Sequence, residues 1–108
     1  MRDDDEAGVY AISVAAEMVS MQVQNLRVYE RRGLLEPDRT AGGTRLYSRA
    51  DVERLQRIGT LLAEGLNLAG IARVLALEDE VRRLRAQLAR SGVEPHTAPP
   101  ESKTRPRR

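Results

Sequence analysis

The chain has 108 residues, a formal net charge of +2, 41% hydrophobic and 31% charged residues, three Tyr, and no Phe, Trp or Cys. That length suits one small domain with an aliphatic core, modestly stable because a domain of this size buries only about 60 to 70% of its unfolded surface. Lack of Cys excludes disulfides, thiolate metal sites and thiol redox sensing, and no apolar run approaches the roughly 18 to 20 residues that span a bilayer, so a soluble, cytoplasmic protein with no membrane partner is expected.

In chain order, residues 1–8 hold an acidic head, Asp3, Asp4, Asp5 and Glu6, and are expected to be disordered. The next region, 9–66, reads as a winged helix-turn-helix. Ser13 is placed to cap a first helix whose apolar face is Val14, Ala15, Met18 and Val19. A second helix follows almost at once, from about Gln22 to Arg32, and Gly33 stops it. On a wheel of about 100° per residue, Val23, Leu26 and Tyr29 face inward while Gln24, Arg27, Val28, Arg31 and Arg32 spread over the other side, with Asn25 at its flank.

The Gly42-Gly43 pair divides two stretches able to run extended, which predicts a short two-stranded hairpin, the wing, carrying Arg39, Arg45 and Tyr47. Ser48 and Asp51 form the signature of a capping box before an apolar run of Val52, Leu55, Ile58 and Leu62, a third helix closed by Gly65. Asn67 opens a fourth helix with Leu68, Ile71, Val74 and Leu75. No stop follows, and Val74, Leu77, Val81, Leu84 and Leu88 recur at steps of three and four residues, a heptad seam. Residues 67–90 are therefore expected to link to and form a dimerisation helix, and 91–108, with four Pro among polar residues, to be a disordered tail. The fold class is mainly α.

Charge points to the partner. From Ser20 to Arg49 six Arg stand against three acids, a local excess of +3, and only Lys103 among the 18 basic residues is a lysine. The planar guanidinium fork donates bidentately to phosphate and to guanine, while Gln and Asn pair with adenine. Double-stranded DNA is the expected partner. No P-loop pattern follows Gly42-Gly43, and the single His, His96, lies in the Pro-rich tail. Neither an enzyme nor a cofactor or metal site is expected.

Four stretches, Ile12-Ser13-Val14-Ala15-Ala16, Asn25 to Leu35, Arg39 to Ser48 and Asp51 to Leu55, stand in the order and spacing of the MerR family of transcriptional regulators, which the chain resembles over roughly Tyr10 to Leu88. Together with Glu64 to Ile71, they look most like the heat-shock repressor branch, HspR. The resemblance implies that Arg27, Tyr29, Arg45 and Tyr47 meet phosphates and that Gln22, Gln24 and Asn25 approach bases. Ser13, Arg31 and Arg39 complete the candidate DNA-binding set.

It further implies a homodimer through an antiparallel pairing of the last helix, an inverted-repeat operator, and a DnaK-like chaperone as co-regulator. Asn25 replaces the family's usual Thr, Val28 a common aromatic, and Gln22-Val23 the His-Pro frequent in the heat-shock branch, which implies a different operator. With no effector pocket evident, a repressor is expected. The competing readings are an excisionase-like architectural factor, which the seam of Val81, Leu84 and Leu88 opposes, and an adaptor binding a chaperone or polymerase through the terminal helix.

Overall fold

The computed structural model describes residues 4–92. The elements run β1 (Gly8–Tyr10), α1 (Ile12–Met18), α2 (Val23–Arg31), β2 (Asp38–Arg39), β3 (Arg45–Ser48), α3 (Arg49–Ala63) and α4 (Leu68–Arg90), with a short 3₁₀ turn at Asp4–Glu6 before them. The mainly helical winged helix-turn-helix expected from the sequence is present. Its sheet, however, has three antiparallel strands in the order β1-β3-β2. The expected two-stranded wing is β2 with β3, and β1 closes the other edge of β3.

This third strand overturns the disordered head where it is described. Asp4–Glu6 form the 3₁₀ turn and Gly8 already pairs with Ser48. Val-Tyr after Gly is too short a stretch to announce a strand, yet an unpaired edge of β3 offers the hydrogen bonds that order it. Residues 1–3 and 93–108, including most of the expected disordered tail, lie outside the described residues.

The first compact unit runs to Arg73, so the opening turn of α4 belongs with it. Its core is aliphatic apart from two tyrosines: Ala15, Ala16, Leu26, Tyr29, Leu34, Leu35, Tyr47, Val52, Leu55, Ile58, Leu61 and Ile71. Two expected apolar faces shift. In α1 the buried residues are Ala15 and Ala16, and Val14 and Met18 are about half exposed. In α3 Leu61 is buried in place of Leu62, because the buried stripe drifts around the helix toward its C-terminal end.

Capping follows the sequence except at α1. Ser48 accepts from the Asp51 N–H at 2.9 Å and the Asp51 carboxylate accepts from the Ser48 N–H at 2.9 Å, a complete capping box. Asn67 accepts from the Gly70 N–H at 2.8 Å. Helix α1 instead begins directly where β1 ends. Its N-cap is Ala11, without a side-chain bond, and Ser13 is its second residue rather than the cap. Gly33, with φ +78°, lets the chain leave α2 through a left-handed turn.

The second unit begins at Val74 and contains the rest of α4, one unbroken helix of 23 residues from Leu68. Its exposed flank carries the ion pairs Arg82–Asp79 and Arg83–Glu80. No helix among the described residues is long and apolar enough to cross a membrane.

Candidate nucleic-acid interface

Helix α1 and helix α2 are joined by a four-residue turn in which Ser20 adopts a left-handed φ of +55°. The inward residues of α2 are Leu26 and Tyr29, both buried. Gln22, Gln24, Asn25, Arg27, Arg31 and Arg32 are exposed, so the amides and guanidiniums expected on the reading face share the solvent side of one helix. Arg27, Arg31 and Arg32 form no ion pair with any described residue. Val28 is half-buried, and Ser13 is exposed on α1.

The wing carries the second cluster. Arg39 and Arg45 are cross-strand partners in the β2–β3 pair. A tight turn fixes the tip between them: the Thr40 N–H donates to the Thr44 carbonyl at 2.8 Å, and the Thr40 hydroxyl oxygen accepts from the Thr44 N–H at 3.1 Å. Gly43, at φ +88°, supplies the left-handed residue that this turn requires.

Sequence reasoning missed the residue that joins the two clusters. Glu30, on the last turn of α2, accepts from Arg39 Nη2 at 2.7 Å through Oε2 and from Arg45 Nε through Oε1. Burial pushes the Glu30 carboxyl up, but the hydrogen bonds and charges of Arg45 and Arg39 outweigh it and hold the carboxyl below its ordinary value. The hydrogen bond to Glu30 in turn raises Arg45. These contacts span nine and 15 positions in sequence, beyond any helical or hairpin spacing that would have revealed them.

Two candidates are placed otherwise than the resemblance implied. Tyr47 is 0% and Tyr29 5% exposed, so both rings are core. The Tyr47 hydroxyl is buried with no hydrogen-bond partner among the described residues. Burial raises the pKa of both phenols. Their apolar bodies pack α2 and β3 onto the rest of the unit, which explains why the sequence wheel put Tyr29 on the inward side.

The five seam residues lie on the second unit's helix. Leu77 is 66% exposed, and Val81, Leu84 and Leu88 are each more than 40% exposed. Val74 is half-buried. Among the described residues no group of three or more His, Cys, Asp or Glu is arranged to hold a metal.

Comparison with known proteins gives this arrangement a context. Residues 10–78 match the family described as MerR HTH family regulatory protein. Over 86 residues the chain is 48% identical to a Streptomyces coelicolor protein named heat shock protein HspR, covering 79% of this chain and 57% of that protein. The chain thus spans less than two thirds of that relative's length. Its fold is similar to that of MtaN, the N-terminus of the Bacillus subtilis multidrug transporter activator, with a TM-score of 0.60 and 31% identity over 78% of this chain and 89% of that one. A further similar fold, at 23% identity and a TM-score of 0.56 over 77% of this chain and 75% of that one, is HiNmlR, a MerR family regulator lacking the sensor domain, bound to promoter DNA.

Proposed function

The chain belongs to the MerR HTH family of regulatory proteins, and from that premise we propose that it is a sequence-specific DNA-binding transcriptional repressor that occupies an inverted-repeat operator as a homodimer. The observation that carries this reading is the exposed face of α2, where Gln24, Asn25, Arg27 and Arg31 stand together, while Glu30 of the same helix is engaged by Arg39 and Arg45. Amides and guanidiniums at the start of a recognition helix are the groups that read base edges in the major groove. Arg39 and Arg45 supply the wing with donors for phosphate, which positions the helix without itself reading sequence.

Within this reading Gln22, Gln24 and Asn25 approach bases, and Arg27, Arg31 and Ser13 meet the backbone. Tyr29 and Tyr47 act from within the core, seating α2 and β3. The seam Val74, Leu77, Val81, Leu84 and Leu88 pairs with its copy, which separates two half-sites by about 34 to 36 Å or a multiple of it. The HspR relative's name supports a heat-shock regulon; a DnaK-like chaperone as co-regulator belongs to the proposal and rests on the resemblance alone.

Selection of bound fragments from genomic DNA, followed by footprinting, tests the proposal. The expected result is a protected palindrome. Arg27→Ala should weaken its binding while leaving the fold intact, and lower the salt dependence of log affinity by about one phosphate contact. Binding unaffected by Arg27→Ala and Arg45→Ala together would favour an adaptor role through the terminal helix.

A further inference from the structure

We infer that Glu30 is a positioning residue of the DNA interface: its single carboxylate holds Arg39 and Arg45 as a preformed pair, and it thereby strengthens DNA binding even though it brings a negative charge to a surface that meets phosphates. The inference rests on the DNA-binding reading and deepens it.

Arg39 and Arg45 face each other across antiparallel strands, and like charges directly opposite in such a pair repel. Left alone, two long guanidinium side chains would splay apart and sample many rotamers. Glu30 removes that problem from a neighbouring element, one carboxylate oxygen to each arginine. Arg39 is fixed at a second point, where its Nη1 donates to the Gly43 carbonyl at 2.9 Å. Arg45 is engaged only through Nε, so its two terminal amino groups make no hydrogen bond to the described residues and remain as donors.

Because Glu30 sits on the helix that bears Gln24, Asn25 and Arg27, the same contact sets the wing's register relative to the reading face. Side chains ordered before binding lose less rotamer freedom when a phosphate arrives. The three charges still sum to +1, so the pair keeps its attraction for a polyanion.

Charge and positioning predict opposite signs. If charge alone mattered, Glu30→Gln would tighten binding, Glu30→Asp would leave it unchanged, and neither effect would depend on the wing arginines. If Glu30 positions them, Glu30→Gln weakens binding by about tenfold. Glu30→Asp, which keeps the charge but withdraws it by one methylene, weakens it too. Both losses should nearly vanish in an Arg39→Ala/Arg45→Ala background.

The measurement is fluorescence anisotropy of a labelled duplex recovered by selection, titrated with the full chain and each variant, with a thermal melt of each variant to set the folded fraction. Should Glu30→Gln not fold at the assay temperature, Glu30→Asp carries the same cycle. Tighter binding by Glu30→Gln, or losses of equal size in both backgrounds, overturns the inference while leaving the regulator reading intact. Failure of the wild-type chain to bind any duplex defeats the regulator reading itself, and the inference with it.

Discussion

The Gly8 N–H donates to the Asp38 carboxylate at 3.0 Å, tying the first residue of β1 to the first residue of β2 although β3 lies between their strands. The contact depends on the absence of a side chain at Gly8. A Cβ there would stand 2.6 Å from the Leu46 carbonyl oxygen and 2.9 Å from the Asp38 Cβ. The first obstacle is backbone of the central strand, which cannot rotate away as a side-chain end can.

Gly8→Ala should therefore displace β1 and weaken its pairing with β3, with a loss of about 1 to 3 kcal/mol, the range of a forced overpacking. Urea unfolding of the two proteins checks this. An unchanged midpoint would mean that β1 contributes little to the stability of the unit.

Much of this architecture was legible in the sequence because it rests on local chemistry. The capping box of Ser48 and Asp51, the stop at Gly33 and the exposed polar face of α2 each follow from residue type at short spacing. What escaped is non-local. Strand β1 exists because β3 offers it an edge, and Glu30 matters because the wing folds back within reach of the last turn of α2. The burial of Tyr47 is a third feature that the sequence did not announce. Polar by composition and phosphate-contacting by resemblance, the residue is buried because β3 runs inward from the wing tip: Arg45 and Leu46 are half-buried, Tyr47 and Ser48 fully so.

Acid pH should expose the contribution of Glu30 to stability. Its carboxyl is held below the ordinary value in the folded chain, so its contribution to stability is complete above the unfolded value of about 4.3 and is lost as pH falls through the folded one. Below that, the carboxyl is protonated in both states and the contribution is gone. Melting temperature followed from pH 7 into the acid range should fall further for the wild type than for Glu30→Gln. The two curves should converge at the acid end. Parallel curves over the whole range would show that the Arg39 and Arg45 contacts contribute no net stability.

Tyr47→Phe distinguishes a core tyrosine from a phosphate-contacting one. The hydroxyl is buried without a partner, and an unsatisfied buried polar group disfavours the folded state by about 1 to 3 kcal/mol. Replacing it by hydrogen should leave stability unchanged or raise it by up to about 1 kcal/mol, with duplex affinity within about twofold of wild type. The phenol's folded pKa is raised by burial, so the wild type should lose stability as pH rises above about 10, where the unfolded chain ionises first, and the variant should lack that contribution. A loss of DNA affinity of tenfold or more would instead assign the hydroxyl to the interface.

The seam on α4 makes the last prediction, because a helix of this kind is marginal without a partner. Leu77, Val81, Leu84 and Leu88 keep 41 to 66% of their surface exposed, and a second copy packed along the same stripe would cover them with the knobs-into-holes geometry that a 3-4 spacing provides. Sedimentation should give twice the chain mass for the wild type. Leu84→Glu, which sets a carboxylate in the middle of the stripe, should give one chain mass and lower helix content in circular dichroism as the residues after Val74 fray. Binding to a palindrome should then fall by about a hundredfold, the loss of one linked half-site, while binding to a single half-site stays the same. A wild type that sediments as one chain at the concentrations where it protects both half-sites would show that the DNA, and not the helix, brings two copies together.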